Sequence, residues 1–315
     1  MSTSNRSVRP SYIDKADMSV TDLTSGGELV REQVMQFMAI NVTASKFRER
    51  CRVVIMSRDT IEFPKLTTFG SQIWHTASEM QALPLAQRVS PGFSKTELTV
   101  REVAFTMKYP RHLLKINVEM DRFAQTLMAY LGQHTRRDWE QLAISGDTSG
   151  TGFYGSFDGV VAGTTTYTYA AGGVALDESV LRSIRFTMPV QFRDQANLAY
   201  YTSEEAQDAF IRTYGARMTP MGDSMEMQGT LQPPYRGKPV IGIPMFPTTL
   251  GLGGNETVVL YMDTKNFLLG IRENMEIDTD YDIETRSYTV AGTAWITQGY
   301  LHEPLAVEGT GILST

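Results

Sequence analysis

Cysteine is all but absent: Cys51 stands alone in 315 residues. A single thiol closes no intrachain disulfide and builds no multi-cysteine metal site, so an oxidised scaffold is excluded and folding in a reducing compartment is expected. Histidine is scarce as well. His75, His112, His134 and His302 sit in four separate segments with neither HxxxH nor HExxH spacing, so zinc has no local motif to bind. No stretch approaches the ~18 consecutive apolar residues of a membrane span. The polar N-terminus reaches Asp14 and Asp17 without the apolar core of a secretory signal. A soluble, unsecreted protein with no membrane partner is therefore expected. A basic excess is also missing: 29 Lys and Arg face 35 Asp and Glu, a formal net charge of −6. That balance disfavours tight binding to a phosphate backbone.

Catalytic motifs are missing too. GxSxG does not occur, and Gly155-Ser156-Phe157-Asp158-Gly159 lacks its spacing. GxxxxGK[ST] does not occur either, so the glycines between Gly146 and Gly159, and Gly251, Gly253 and Gly254, read as turns. Cys51 has no recognisable activating neighbour and reads as a buried, inert thiol. No catalytic residue, cofactor or metal is expected.

What is present is a chain with 42% hydrophobic residues, long enough for one large or two modest domains. Residues 1–27 are polar and end in Gly26-Gly27, the composition of an arm that orders on a partner. Leu29, Val30, Val34, Phe37, Met38 and Val42 then recur at helical spacing, with Thr24 or Ser25 as cap. A strand is expected over residues 52–63, ended by Pro64. Residues 66–97 carry Gly70, Pro84, Pro91 and Gly92, yet also apolar Trp74, Met80, Leu83, Leu85 and Phe93. A loop this long inside a domain is usually functional. Residues 98–109 alternate in two frames, which a β-bulge would reconcile.

The strongest periodicity follows. Met120, Phe123, Ala124, Leu127, Leu131, Trp139 and Leu142 mark a helix over residues 117–145, capped by Asn117, stopped by Gly146 and roughly 40 Å long. Helices are expected near 177–188 and 203–214, and strands over 258–262, 275–283 and 287–302. Helix and sheet without βαβ regularity argue an α+β fold.

One charge pattern stands out. Glu276, Asp278, Asp280, Asp282 and Glu284 recur at period two, placing five carboxylates on one strand face, opposite Ile277, Tyr281 and Ile283. Asp278-x-Asp280-x-Asp282 imitates the start of an EF-hand loop, but Ile283 and Thr289 stand where glycine and glutamate are needed. The readings left are a solvated or salt-bridged face, or one that meets a basic partner. A carboxylate-dependent hydrolase stays a remote alternative, because such even spacing does not separate an acid from a base.

The order of these segments resembles the major capsid proteins of tailed bacteriophages, the Hong Kong 97 fold. Val53-Val54-Ile55-Met56 through Glu62-Phe63-Pro64-Lys65 resembles the strand leading into that family's extended E-loop. Ile144-Ser145-Gly146-Asp147 resembles the end of its spine helix, and Phe157-Asp158-Gly159-Val160 the turn opening its axial domain. Leu198–Ser203, then Gly237-Lys238-Pro239-Val240-Ile241 with Pro244, are similar to axial-domain strands. Residues 272–311 resemble the peripheral sheet and its return.

The resemblance implies an arm and short helix at 1–50 and an E-loop at 66–97. It places a peripheral domain at 51–65, 98–147 and 270–296, and an axial domain at 148–269 and 297–315. It implies a non-enzymatic shell subunit that self-assembles into hexamers and pentamers around dsDNA, inside a virion built in the host bacterial cytoplasm. Further copies of the chain, scaffold, portal and decoration proteins are the expected partners, with DNA touched without sequence specificity. Trp74, Met80, Leu83 and Leu85 of the loop, and Glu276, Asp278, Asp280, Asp282 and Glu284, become candidate subunit-interface residues. An encapsulin-type nanocompartment shell is the alternative within the fold, disfavoured by the polar arm.

Some members of this family cross-link an E-loop lysine to a peripheral-domain asparagine. Here the loop holds only Lys95, at its base, and residues 280–289 hold no asparagine, Asn274 being the nearest. Boiled mature particles should therefore run as a single band near 35.2 kDa on a denaturing gel. A ladder of multiples carrying a Lys95–Asn274 linkage would contradict this.

Overall fold

A computed structural model of the chain describes residues 46–67, 74–76, 92–112, 121–215 and 234–314. The expected arm, the helix over 28–42, the cap Asn117 and most of the 66–97 loop lie outside these residues. Two compact units emerge. Among the described residues the smaller holds Val103–His134 and Met275–Ala294, and the larger holds the rest.

The larger unit is built on a six-stranded sheet. Its strands, in chain order, are β5 (Thr168–Ala175), β6 (Ala199–Thr202), β7 (Pro234–Tyr235), β8 (Lys238–Gly242), β9 (Glu256–Met262) and β12 (Ala306–Leu313). Their spatial order is β5-β12-β9-β6-β8-β7. Every residue of β6 is buried, as an apolar run covered on both faces requires. Successive residues of a strand point to opposite faces, and two cores result. Tyr200, Tyr261 and Val307 pack with Leu181, Ile184 and Phe210 of the two shorter helices, α2 (Glu178–Thr187) and α3 (Glu204–Gly215). Tyr201, Leu260, Met262 and Ala306 pack with Phe47, Ala143, Ile144 and Val160. Asp177 caps α2 by accepting the Val180 N–H at 2.9 Å.

The long helix α1 runs over Asp121–Ser145, about 37 Å at the usual rise. Its last carbonyls, which no further helical turn can satisfy, are met from elsewhere in the larger unit. Gly146 N–H donates to Leu142 O at 3.0 Å, Val160 N–H to Ala143 O at 2.8 Å and Val161 N–H to Ile144 O at 3.2 Å. The Gln298 amide adds a bond to Leu142 O at 2.9 Å, and Gly159 N–H reaches Gly146 O at 2.8 Å. Two glycines make this approach possible. A Cβ on Gly146 would overlap the carbonyls of Phe157 and Leu142, and one on Gly159 would overlap that of Ile144.

A four-stranded sheet has the order β1-β10-β11-β4, from β1 (Arg52–Ile55), β4 (Arg101–Pro110), β10 (Phe267–Asp282) and β11 (Ser287–Tyr300). In the larger unit β1 runs parallel to β10, Arg52 opposite Leu268. In the smaller unit Tyr109 and Tyr288 stack with centroids 5.6 Å apart, and the Phe105 ring occupies the space a side chain at position 292 would need.

Three expectations are corrected here. Pro64 does not end a strand: β2 (Thr60–Thr67) runs through it, after a break that separates it from β1. Among the described residues β2 pairs only with β3 (Gly92–Thr99), so a residue without an N–H is tolerated at its open side. The two frames of residues 98–109 belong to two strands, not one bulged strand. The chain breaks at Val100, whose N–H donates to Asp59 O at 2.8 Å. Finally, β10 ends at Asp282, so Ile283 and Glu284 stand in the turn beyond the strand face.

The helix end gives a stability test. Gly146→Ala should cost at least about 2 kcal/mol, because the added methyl meets two backbone carbonyls that cannot move independently. Urea denaturation of the variant would check this, and an unchanged midpoint would show that the joint is looser than described.

Candidate functional site

The residues best suited to chemistry are scattered. No group of three or more His, Cys, Asp and Glu side chains able to hold a metal occurs among the described residues. Cys51 is buried, and burial pushes its thiol up to about 12 even though Arg48 pulls the other way. It is protonated at neutral pH and a poor nucleophile. The loop and edge surfaces are more informative.

β2 and β3 form a two-stranded antiparallel hairpin with eight register pairs, from Thr60↔Thr99 to Thr67↔Gly92. Its base is anchored: Leu98 is buried, and Thr96 Oγ1 donates to Leu301 O at 3.1 Å. Lys95 Nζ lies 2.5 Å from Glu62 Oε1, an exposed pair of small energetic weight. At the far end Leu66 and Phe93 face each other across the ladder, 61% and 77% exposed. Trp74, beyond it, is 87% exposed. Met80, Leu83 and Leu85 lie outside the described residues. A two-stranded hairpin is marginal without further packing, and this one presents Leu66 and Phe93 to solvent at its far end.

The acidic strand is brought together only in part. Glu276, Asp278 and Asp280 are exposed along β10. Asp282 instead closes the turn. Its carboxylate accepts from Thr285 Oγ1 at 2.7 Å and Glu284 N–H at 2.9 Å, and these bonds, with Lys108 nearby, hold it below the usual carboxylate range. Tyr281 packs on Tyr288, centroids 5.0 Å apart, under the Arg111 guanidinium. Ile277 and Ile283 are 42% and 80% exposed, so they are not core residues of the subunit.

Sequence reasoning missed one group. Glu308 on β12 is 7% exposed, and burial alone pushes its carboxyl up to about 7. It lines a recess of about 450 Å³ with Glu256, Thr310 and, from β5, Ala170, Gly172 and Gly173. The signal was a single acid inside Ala-Val-Glu-Gly-Thr-Gly-Ile-Leu, where alternation gave it no solvent face of its own.

The likeness to known proteins follows this geometry. No protein-family model matches the sequence. A protein of Bacillus subtilis (strain 168), YqbE, assigned as a prophage capsid protein, is 28% identical over 288 residues, covering 90% of this chain and 92% of that protein. Among solved structures, the capsid of a native GTA particle is similar with TM-score 0.66 and 13% identity, covering 94% of this chain and 99% of that one. The capsid of Myoviridae phage XM1 gives TM-score 0.59 at 11% identity over 91% and 100% of the two chains. The SrpI encapsulin of Synechococcus elongatus PCC 7942 gives 0.61 at 11% identity over 95% and 96%.

Glu308 also sets a pH dependence. An acid whose value rises on folding, from the ordinary 4.5 to about 7, stabilises the fold fully below pH 4.5, and this contribution is lost as pH rises through 7. The loss approaches about 3 kcal/mol. Unassembled Glu308→Gln subunits should match the parent near pH 4.5 and exceed it in stability at pH 8. Parallel stability curves for the two proteins would refute the assignment.

Proposed function

We propose a shell-building mechanism for this chain, a capsid protein of the tailed-bacteriophage family with its Hong Kong 97 fold: hexamers and pentamers form when each subunit completes surfaces its neighbour leaves open. The observation that carries the reading is the β2–β3 hairpin, anchored at its base and apolar at its far end. Identical subunits joined by heterologous contacts close into rings, and rings tile a shell. The hairpin lies on an adjacent subunit, where Leu66, Phe93 and Trp74 leave water; Met80, Leu83 and Leu85 of the same loop are further interface candidates. Burying a large apolar side chain contributes about 1.5–3 kcal/mol, and the same contact recurs at every subunit of the shell.

The remaining partners follow from charge and position. The exposed Glu276, Asp278 and Asp280 meet basic groups on a neighbour or a decorating protein, because like charges in a row favour an opposite partner. Asp282 and Glu284 hold the turn that presents them. The arm straps onto adjacent subunits as it orders. Scaffold and portal proteins meet the assembling shell in the host cytoplasm, and packaged dsDNA lies inside a wall whose net negative charge keeps contact weak and nonspecific. The Bacillus relative favours a genome container over the nanocompartment alternative, and the subunit acts by assembly instead of catalysis.

Electron microscopy of the purified chain, with or without scaffold, should show rings or closed particles. Leu66→Ser with Phe93→Ser should leave the subunit folded by circular dichroism while raising the concentration needed for assembly at least tenfold. A monodisperse monomer under all conditions, or a double variant that assembles like the parent, would overturn the mechanism.

A further inference from the structure

Glu308 stands in an unusual position for a carboxylate. As a residue it is 7% exposed, burial alone raises its carboxyl, and its side chain opens on the recess. Burying an unpaired carboxylate is costly, and such groups normally have a cation or several donors beside them. Register explains how it came to be there. Glu308 sits opposite Leu260 on β9 and Thr168 on β5, on the same face of β12 as Ala306. Ala306 and Leu260 belong to the core beneath. Toward β5 that cover ends: Thr168 and Ala170 are exposed, and the recess opens between Ala170, Gly172 and Gly173 on one side and Leu250, Gly251 and Glu256 on the other.

The chemistry of the recess is one-sided. Glu308 and Glu256 both line it, no basic residue does, and Leu250 and Val258 supply apolar walls. A long apolar stem ending in a positive charge fits such a site, since Lys and Arg bury their methylenes while the head seeks an acceptor. Along one side runs β5, Thr168–Ala175, which among the described residues pairs only with β12 and so forms the sheet's edge. β5 contains no charged residue and no proline, the features by which edge strands ordinarily repel other chains. The opposite edge strand, β7, is two residues long, begins at Pro234 and is followed directly by Arg236. Among the described residues the β7 edge is guarded by its shortness, proline and charge, whereas the β5 edge carries only the irregularity at Gly172 and Gly173, beyond the Thr168–Ala170 stretch that flanks Glu308.

We propose that the recess ending on Glu308 receives a Lys or Arg side chain from a second copy of this chain, laid against the open edge β5. The inference rests on the shell-building reading, because it takes the occupant to be another subunit. A cation beside Glu308 would restore the carboxylate to its charged form and offset the burial that the lone subunit bears. The site therefore costs stability in the free subunit and returns it on association. That couples this contact to assembly.

Glu308→Gln tests the proposal because it keeps size and shape while removing the charge. The variant should be at least as stable as the parent as a free subunit at pH 8, yet should need at least a tenfold higher concentration to assemble. Amide hydrogen exchange on parent particles should show slowed exchange in residues 168–175 relative to free subunits. A variant that assembles at the parent's concentration, or β5 amides that exchange equally fast in both states, would overturn the inference while leaving the shell-building reading intact. If the parent itself never assembles, that reading fails first. Should Glu308→Gln misfold, Ala170→Lys, which places a like charge for the incoming cation at the exposed edge, supplies the same comparison; parental assembly by it would count equally against the proposal.

Discussion

The larger unit depends on how a long helix is allowed to end. Four carbonyls at the close of any α-helix need donors from outside it, and here the segment following the first turn returns to supply them. Gly159, Val160 and Val161 donate to Gly146, Ala143 and Ile144 in succession, and Gln298 reaches in from β11 to Leu142. This is a backbone-to-backbone splice, so its specificity lies in the two positions where no side chain fits, Gly146 and Gly159. Ala143, Ile144 and Val160 then enter one core together with strands β6, β9 and β12. Within the larger unit the last turns of the helix are thereby tied to the sheet through polar groups as well as apolar ones.

A second tie works at the other side of the same helix. The buried carboxylate of Glu140 accepts the N–H groups of Lys46 and Phe47 at 2.9 and 2.8 Å, and Phe47 packs edge-on against Tyr201 and Phe246. Arg48 lays its guanidinium 4.7 Å from the Trp139 ring centroid. The chain thus enters the larger unit already fixed to the helix that organises it. With its interior settled in this way, the subunit keeps its unsatisfied surface for hairpin, recess and acidic strand.

Much of this was legible in the residues because the information was local. The period of Leu131, Trp139 and Leu142 predicts the long helix, a helix is expected near residues 177–188 where α2 lies, a strand over 258–262 where β9 lies, and the resemblance of Leu198–Ser203 points to β6. What was not legible depended on partners far along the chain. Pro64 reads as a terminator until β2 is known to have only β3 beside it. Val100 reads as part of a bulge until Asp59 accepts its N–H. Gly159 reads as one more turn glycine, since nothing nearby reveals that Ile144 approaches it. The period-two spacing places Glu276, Asp278 and Asp280 exposed along β10, and the turn claims Asp282 and Glu284 because Asp282 finds its donors in Thr285 and Glu284. Glu308 escaped notice because a single acid in a strand suggests an exposed face, and only the place of β12 between β5 and β9, over the core that holds Ala306 and Leu260, buries it.

The central claim is that this subunit leaves its β2–β3 hairpin incomplete so that a neighbour can complete it. A cryo-electron microscopy map of assembled particles, resolved well enough to place side chains, tests it most directly. Leu66 and Phe93 should be found packed against apolar groups of an adjacent subunit, with the hairpin extending away from its own chain. A shell in which those two residues remain in solvent, or fold back onto their own subunit, would contradict it.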